Sequence, residues 1–224
     1  MNHWLENSRK NLISFSEEKS DFNIALDEWE YWGFMTDLGV SIGKCDLCDF
    51  PKIRYKYQIV NKVNQNEMYV GSECINKFSI AVFDDCGTKL NSDEARKKLV
   101  DDKRKYIENA NLHHVLNTLV LLKHEEKDFE IDDFIDYYND RGAFTPNQLK
   151  VIVWRLNKYN IKHNPKSFKM IMRRNREKEQ LDKMEDWQVK KIEPYLSARQ
   201  RKRVSEIRSK DPIMRKIAEF NNKY

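Results

Sequence analysis

Apolar and polar positions alternate most clearly over residues 53–60. The apolar side chains there share one face of an extended chain, as in a half-buried strand with a period of two: Ile53, Tyr55, Tyr57 and Ile59. A polar turn follows and leads to a second predicted strand at 67–70. The aromatic run over 30–36, which is interrupted by Gly33, predicts one further short strand.

Helical periodicity dominates the rest of the chain. Residues 1–28 carry short helical pieces, and Gly71 and Ser72 begin a predicted helix that ends near residue 79. After Ser92, apolar side chains recur at intervals of three and four residues. The helices predicted there cover seven ranges: 93–109, 112–122, 131–139, 146–156, 165–184, 198–207 and 212–220.

Two capping signals mark helix starts in this region. Thr145 and Ser197 each stand three residues before a glutamine, Gln148 and Gln200. A hydroxyl residue at the N-cap and a Gln at the third helical position form a capping box, in which each side chain binds the backbone N–H of the other residue. Pro146 at the first helical position strengthens the first signal. We therefore expect helices to begin at 146 and 198.

The order of these elements predicts an α+β fold that is predominantly α. A small β-hairpin module, similar to a zinc ribbon or treble clef, is expected to precede a helical C-terminal region. Composition divides the chain into four predicted segments: an N-terminal helical segment at 1–28, a zinc-binding hairpin module at 29–90, an acidic helical region at 91–142 and a basic helical region at 143–224.

Charge is distributed unevenly along the chain. Residues 1–144 carry a net charge of −8, whereas residues 145–224 carry 22 Lys and Arg against 9 Asp and Glu, a net charge of +13. A basic region of this size attracts polyanions at physiological salt. Lysine-rich helix faces are also common where the side chains are merely solvated, so charge by itself leaves both interpretations open.

Several classes of protein lack support in the sequence. No stretch approaches 18 consecutive apolar residues, which argues against a transmembrane helix, and the N-terminus lacks the charged and apolar regions of a secretory signal. We therefore expect a cytoplasmic protein. Metalloprotease and deaminase motifs, Gly-rich phosphate loops and catalytic triads are not recognisable, so we predict a protein without enzymatic activity.

Three of the four cysteines have the spacing of a zinc site. Cys45 and Cys48 are separated by two residues, as in a zinc knuckle, where one tight turn lets both thiolates reach the same ion. Cys74 follows the predicted hairpin in the first turn of the next helix, where the helix dipole is expected to lower its thiol pKa. A knuckle, a hairpin and a ligand at a helix start form the order of a treble-clef site, so we predict structural Zn²⁺.

The fourth ligand is left open by this spacing. A treble clef usually supplies a second ligand within one helical turn of Cys74, but Lys77 and Phe78 occupy those positions. Cys86 is the predicted ligand because it would complete an all-cysteine site, and a free thiol at Cys86 is the alternative. Histidine is the other candidate ligand type: His113, His114 or His124. A redox dithiol at the knuckle would require a βαβ context, which the pattern lacks.

Five short runs frame these cysteines: Ala25-Leu26-Asp27-Glu28-Trp29, Cys45-Asp46-Leu47-Cys48, Ile53-Arg54-Tyr55, Ile59-x-Asn61 and Val70-Gly71-Ser72-Glu73-Cys74-Ile75-Asn76-Lys77-Phe78. Together they resemble a group of uncharacterised zinc-ribbon-like, treble-clef-type proteins of phages and mobile elements of low-GC bacteria. The resemblance covers about residues 25–80 and extends loosely to the two capping boxes. It implies a zinc module with Cys45, Cys48 and Cys74 as ligands, a phage or mobile-element setting in the cytoplasm of a bacterial host, and no assigned activity.

Candidate nucleic-acid contacts occur in the hairpin and in the basic region. Arg54 and Lys56 share the polar face of the strand over 53–60, and zinc ribbons often present such a face to nucleic acid. On the helix predicted at 165–184, four cations at spacings of three, four and three form one stripe: Lys166, Lys169, Arg173 and Arg176. A second cluster stands at the next helix start, where backbone N–H groups also favour phosphate: Arg199, Arg201, Lys202 and Arg203. Trp154, at helical spacing, is interpreted as a core residue.

Three functions are compatible with these features. The first, which we favour, is a non-enzymatic zinc protein of a phage or mobile element that binds DNA or RNA through phosphate contacts of its basic helical region. The second is an inhibitor or adaptor that binds host machinery or an anti-phage defence nucleoprotein complex, with Trp29, Tyr31 and Trp32 as exposed aromatics. The third is a metal-dependent nuclease built on the acids of 132–136, although a helix dipole explains acids at a helix start more simply.

Overall fold

The computed structural model describes residues 3–209, with side chains as far as residue 205. The chain divides into two units, unit 1 up to Ile107 and unit 2 from Glu108 onward. A four-stranded sheet lies in unit 1 and C-terminal helices form unit 2, so the predicted α+β class is confirmed. No helix in the described range is long and apolar enough to cross a membrane. The helix predicted at 212–220 lies outside that range.

The sheet of unit 1 has the strand order β3-β2-β1-β4. Its strands are β1 (Trp29–Asp37), β2 (Tyr55–Asn61), β3 (Glu67–Val70) and β4 (Ala81–Val82). The pairs β1–β2 and β2–β3 are antiparallel, and β4 runs parallel to β1. The first three strands are those that alternation and aromatic content predicted. Gly33 has a φ of +101° where the β1–β2 register shifts between Tyr31 and Met35, a backbone conformation that glycine adopts without strain.

Aromatic side chains of β1 fill the core of unit 1. Trp29 and Tyr31 are fully buried, so the prediction that they form an exposed contact surface is wrong. Successive side chains of a strand point to opposite faces, and Trp32 accordingly faces outward and stacks on Phe83 at 4.6 Å between ring centroids. The indole N–H of Trp29 donates to Ser16 Oγ at 2.8 Å, which satisfies its one buried polar atom.

Four helices begin in unit 1: α1 (His3–Phe15), α2 (Phe22–Leu26), α3 (Ser72–Lys77) and α4 (Ser92–Glu125). The predicted helix after the hairpin corresponds to α3. α4 is one continuous helix of 34 residues, where the sequence predicted separate helices over 93–109 and 112–122. Its sequence contains neither proline nor glycine, so nothing interrupts the backbone hydrogen-bond ladder between those two ranges.

Five further α-helices lie in the described part of unit 2: α5 (Asp132–Arg141), α6 (Pro146–Lys158), α7 (Asn175–Asp182), α8 (Asp186–Ile192) and α9 (Ala198–Ser209). Both predicted capping boxes form, with Thr145 Oγ1 and Ser197 Oγ accepting the N–H groups of Gln148 and Gln200 at 3.2 Å each. Gly142, near which the charge balance changes sign, ends α5 with a φ of +64°. Tyr138 and Phe144 on either side of it belong to one hydrophobic core, so this change of charge lies within unit 2.

The single helix predicted over 165–184 is wrong. A 3-10 turn at Pro165–Ser167 is followed by extended backbone, and α7 begins only at Asn175. Phe168 and Met170 are buried, whereas Lys169 between them is exposed, which is the period of a strand. The continuous helical stripe predicted for the following cations therefore does not exist: Lys166, Lys169, Arg173 and Arg176.

Candidate metal centre and basic cleft

Three thiols of unit 1 come together in the protein interior. Cys45 and Cys48 lie in the turn between β1 and β2, and Cys74 lies in the first turn of α3; all three are buried. The Sγ atom of Cys74 is 3.6 Å from that of Cys45 and 3.4 Å from that of Cys48. Thiolates on a tetrahedral zinc ion, with Zn–S bonds of about 2.3 Å, lie about 3.8 Å apart. The two distances from Cys74 differ from this value by a few tenths of an ångström, and all three sulfur atoms lie within 4.8 Å of one another, so the thiols could hold a metal ion.

Backbone hydrogen bonds hold the knuckle turn against the hairpin. The N–H of Asp46 donates to the carbonyl oxygen of Tyr69 at 3.1 Å, and Asp46 Oδ2 accepts the N–H of Tyr69 at 2.7 Å. The N–H of Gly71, immediately before α3, points at Cys45 Sγ from 3.5 Å. These contacts join the two cysteine-bearing segments independently of any ion, so the fold itself positions the thiols.

Hydrogen bonding among the thiols shifts their pKa values in opposite directions. The hydrogen bond from Cys74 lowers the pKa of Cys45 to about 5. The same hydrogen bond, together with burial, raises the pKa of Cys74, and burial raises the pKa of Cys48. The prediction that the helix start lowers the pKa of Cys74 is therefore wrong for the free thiols. The cluster readily holds one thiolate, and a cation is needed to stabilise two more.

Cys86 does not belong to this cluster. It is exposed, and its backbone N–H donates to Asp84 Oδ1 at 2.9 Å in a turn after β4. Among the described residues, no histidine, aspartate or glutamate joins the three thiols either. The candidate histidines all lie on α4 within unit 2: His113, His114 and His124. The structure thus brings together three of the four predicted metal ligands and leaves Cys86 apart.

The two cations predicted as hairpin contacts both have acidic partners. The guanidinium of Arg54 donates two hydrogen bonds to the carboxylate of Asp37, at 2.7 and 2.8 Å. Lys56 Nζ lies 3.6 Å from Asp46 Oδ1. These pairs leave little free positive charge on this face of the hairpin, and the buried Tyr57 offers no ring for base stacking there.

Basic side chains of unit 2 converge on one cleft, which we call the basic cleft. It has a volume of about 720 Å³ and lies between the end of α5, the extended segment before α7 and the start of α9. Among the described residues, five cations line it: Arg141, Lys169, Arg173, Arg199 and Arg203. Glu108 is the one acid among these described lining residues. In the described part of the chain, no carboxylate pairs with Lys169, Arg173, Arg199 or Arg203.

Arg141 is the cleft residue that sequence reasoning missed. It stands in the last turn of an acidic helix, where a cation is explained by the helix dipole, and nothing nearby in sequence links it to the other cations. Four of the eight contact residues predicted in the basic region do not line the cleft: Lys166, Arg176, Arg201 and Lys202. Arg176 lines a separate groove with Lys150 and Lys183, and the other three are on the protein surface.

A buried carboxylate holds the segment that carries Arg173. Glu177 is 4% exposed, and its Oε2 accepts the backbone N–H groups of Arg173 and Arg174 at 2.6 and 2.8 Å. On the other side of the cleft, the Gln200 amide of α9 donates to the carbonyl oxygen of Met170 at 2.6 Å. The walls of the basic cleft are therefore joined by hydrogen bonds, which keeps the cations close together despite their repulsion.

Two exposed tryptophans line a further groove of unit 2. Trp154 and Trp187 are 45% and 51% exposed, and the groove, of about 220 Å³, also includes Lys150, Arg155 and Lys191. The prediction that Trp154 belongs to the core is wrong. Neighbouring positions of a helix differ by about 100° in direction, and the core face of α6 is formed by other side chains: Leu149, Ile152, Val153 and Leu156.

Comparison with known proteins does not identify a relative of this chain. No protein-family model matches it, and neither the curated proteins nor the solved structures give a significant match.

Proposed function

We propose that this protein is a non-enzymatic zinc protein that binds nucleic acid in the basic cleft of unit 2. The observation that carries the proposal is the convergence of Lys169, Arg173, Arg199 and Arg203 on one cleft without carboxylate partners in the described structure. Unpaired cations held close together are costly unless a polyanion offsets their repulsion. The phage or mobile-element setting is part of this proposal and rests on the sequence resemblance.

Contacts in this cleft would be made to phosphates rather than to base edges. Four of its five cations are arginines, whose planar guanidinium groups bind phosphate oxygens in pairs. The N-terminus of α9, which lines the cleft, adds backbone N–H groups and the positive end of a helix dipole to these contacts. Such contacts fix the position of the nucleic acid but carry no sequence information, so we expect binding that is independent of sequence and strongly dependent on salt.

The zinc ion would stabilise unit 1. The knuckle turn, the β2–β3 hairpin and Cys74 on α3 follow one another in treble-clef order, which supports a zinc-ribbon-like module there. Zinc would bind the three thiolates and so hold the turn with Cys45 and Cys48 against the β2–β3 hairpin and α3. Its contribution is to stability, because metal-binding free energy becomes folding free energy when the unfolded chain has no preformed site.

Fluorescence anisotropy with labelled single- and double-stranded DNA and RNA, at low and high salt, tests the binding proposal. The double variant Arg173→Glu with Arg199→Glu should weaken binding more than about tenfold and reduce the slope of log K against log salt by about two. Lys162→Glu with Lys190→Glu makes the same change of charge on exposed side chains outside the cleft and is the matched control. Absent binding at low salt, or equal losses in both variants, would contradict the proposal.

A further inference from the structure

The three thiols open onto a cavity of about 410 Å³ in unit 1. Cys45, Cys48 and Cys74 all contribute to its lining, so an ion bound to them would border the cavity. Three cations also line it: Arg54, Lys77 and Lys103. The remaining walls are largely aromatic and include Trp4 and Tyr55. A structural zinc site normally has four protein ligands and no open coordination position. A cavity next to the three thiols is therefore unexpected for a purely structural site.

The described residues supply no fourth metal ligand. Cys86 is exposed and stands apart from the cluster, and no carboxylate or imidazole lies with the three thiols. Lys77, one helical turn after Cys74, occupies the position at which a treble clef places its second helix ligand. Its ammonium group lies over the Trp4 ring at 5.0 Å and has no lone pair to donate to a metal. Within the described ranges, the chain thus provides three of the four donors that tetrahedral zinc requires.

We infer that zinc at this centre keeps its fourth position open to the cavity and binds a small organic anion there through a carboxylate or thiolate. The inference rests on the proposed metal centre. Zn²⁺ with three thiolates carries a net charge of −1, which by itself disfavours a further anion. Glu73 adds a second negative charge at the cavity, and Lys77 and Lys103 offset both charges, while Arg54 is neutralised by Asp37. The aromatic walls favour a ligand with an apolar body. On binding, the anion would take the place of a water molecule at the fourth position of the metal.

Lys103 is the cation best placed to select an anion. Its Nζ lies 3.9 Å from the centroid of the Tyr55 ring, at the wall of the cavity, whereas Lys105 two residues further along α4 is exposed and outside it. Because the cavity is open to solvent, the attraction is partly screened. We expect Lys103→Ala to weaken anion binding about two- to fivefold, and Lys105→Ala to leave it unchanged.

Cobalt substitution tests the open position in the full chain. Co²⁺ takes the same kind of thiolate site as Zn²⁺, and its visible d–d bands report the donor set directly. Titration of the cobalt-loaded protein with benzoate and with thiophenolate should produce a saturable change of these bands with at least one anion. Cys86→Ser should give the same spectrum and the same titration as the unchanged protein.

The other outcomes separate this inference from the metal centre on which it rests. Cobalt uptake with no spectral response to either anion would overturn the open position and leave the metal centre standing. A Glu73→Gln variant whose spectrum differs before any anion is added would also overturn it, because Glu73, which lines the cavity, would then be the fourth ligand. No cobalt or zinc uptake at all would contradict the metal centre itself.

Discussion

Phe144 and Met170 form a parallel β-bridge, in which the backbone of Phe144 makes hydrogen bonds to the two residues that flank Met170. The N–H of Phe144 donates to the carbonyl oxygen of Lys169, and its carbonyl oxygen accepts the N–H of Ile171, both at 2.8 Å. The bridge keeps this segment extended and directs Lys169 away from the core while Met170 points inward. The composition of the basic cleft therefore depends on a backbone pairing between residues 26 positions apart.

The metal centre predicts different outcomes for the cysteines. Cys74→Ser should abolish zinc binding and lower the free energy of unfolding of unit 1 by about 4 kcal/mol or more, because a buried ligand and its ion are lost together. Cys86→Ser, at an exposed thiol, should keep both zinc and stability. Zinc content after dialysis and thermal unfolding with and without chelator are the measurements. Equal zinc loss in the two variants would contradict a three-cysteine centre.

Removal of the Glu177 carboxylate should loosen the cleft. Glu177→Gln replaces the carboxyl acceptor of two backbone N–H groups, so we expect a loss of about 1–3 kcal/mol in the free energy of unfolding. Nucleic-acid affinity should fall as well, because the segment that carries Arg173 is no longer held in place. Glu179→Gln, an exposed neighbour on α7, is the control. Urea unfolding and anisotropy would be measured on both variants, and unchanged stability in Glu177→Gln would refute the role of this carboxylate.

The exposed tryptophans predict a preference for single strands. An exposed indole flanked by cations can stack on an unpaired base, which is worth about 1–3 kcal/mol per base. We expect Trp154→Ala to weaken binding of single-stranded DNA or RNA by about fivefold or more, with an unchanged salt slope because no phosphate contact is lost. Trp32→Ala removes a tryptophan of similar exposure from unit 1 and serves as the control. Indistinguishable affinities for the two variants would exclude stacking at Trp154.

Glu28 should make unit 1 sensitive to acid. Burial opposes its ionisation, but hydrogen bonds from Asn61 Nδ2 at 2.6 Å and from the N–H groups of Glu17 and Glu18, each at 2.7 Å, outweigh burial and lower its pKa below 4.5. A carboxyl with a lowered folded-state pKa stabilises the fold above its unfolded-state pKa, and this stabilisation is lost as the pH falls through the folded-state value.

Replacement of Glu28 isolates that contribution. At pH 7, Glu28→Gln should lower the free energy of unfolding by about 1–3 kcal/mol, and the difference from the unchanged protein should narrow as the pH falls below 4.5. The exposed Glu17→Gln is the matched control. Urea unfolding at pH 7 and at pH 4 measures the free energy of unfolding of each protein. If Glu28→Gln and the unchanged protein differ by the same amount at both pH values, Glu28 is not the source of the acid sensitivity.

Local signals predicted those elements whose stability comes from nearby residues. The alternation over 53–60 and the turn after it are sufficient for the β2–β3 hairpin, because cross-strand neighbours lie a few residues apart. Thr145 and Gln148 form their capping box within one turn, so sequence spacing is all that it requires. Cys45 and Cys48 approach one another for the same reason. In each case the interacting groups are close in sequence.

Other features depended on partners that are distant in sequence. Residues 165–184 have helical spacing of cations, but the pairing of Met170 with Phe144 overrides it, and the helix begins ten residues later at Asn175. Trp154 has the spacing of a core residue, yet which face of α6 packs inward is decided by the helices against it. Arg141 carries no local sign of a binding site, because the cations that accompany it come from residues 169–203.

The sequence by itself therefore determined the hairpin, most helix starts, three metal-ligand candidates and the basic character of the C-terminal region. Tertiary structure decided that Cys86 stands apart, that the three thiols border a cavity, and that four of the eight candidate cations of the basic region meet Arg141 in one cleft. The physical reason is the range of the interactions. Caps, turns and alternation act over a few residues, whereas clefts and cavities form where surfaces from distant segments meet, and their composition follows from packing.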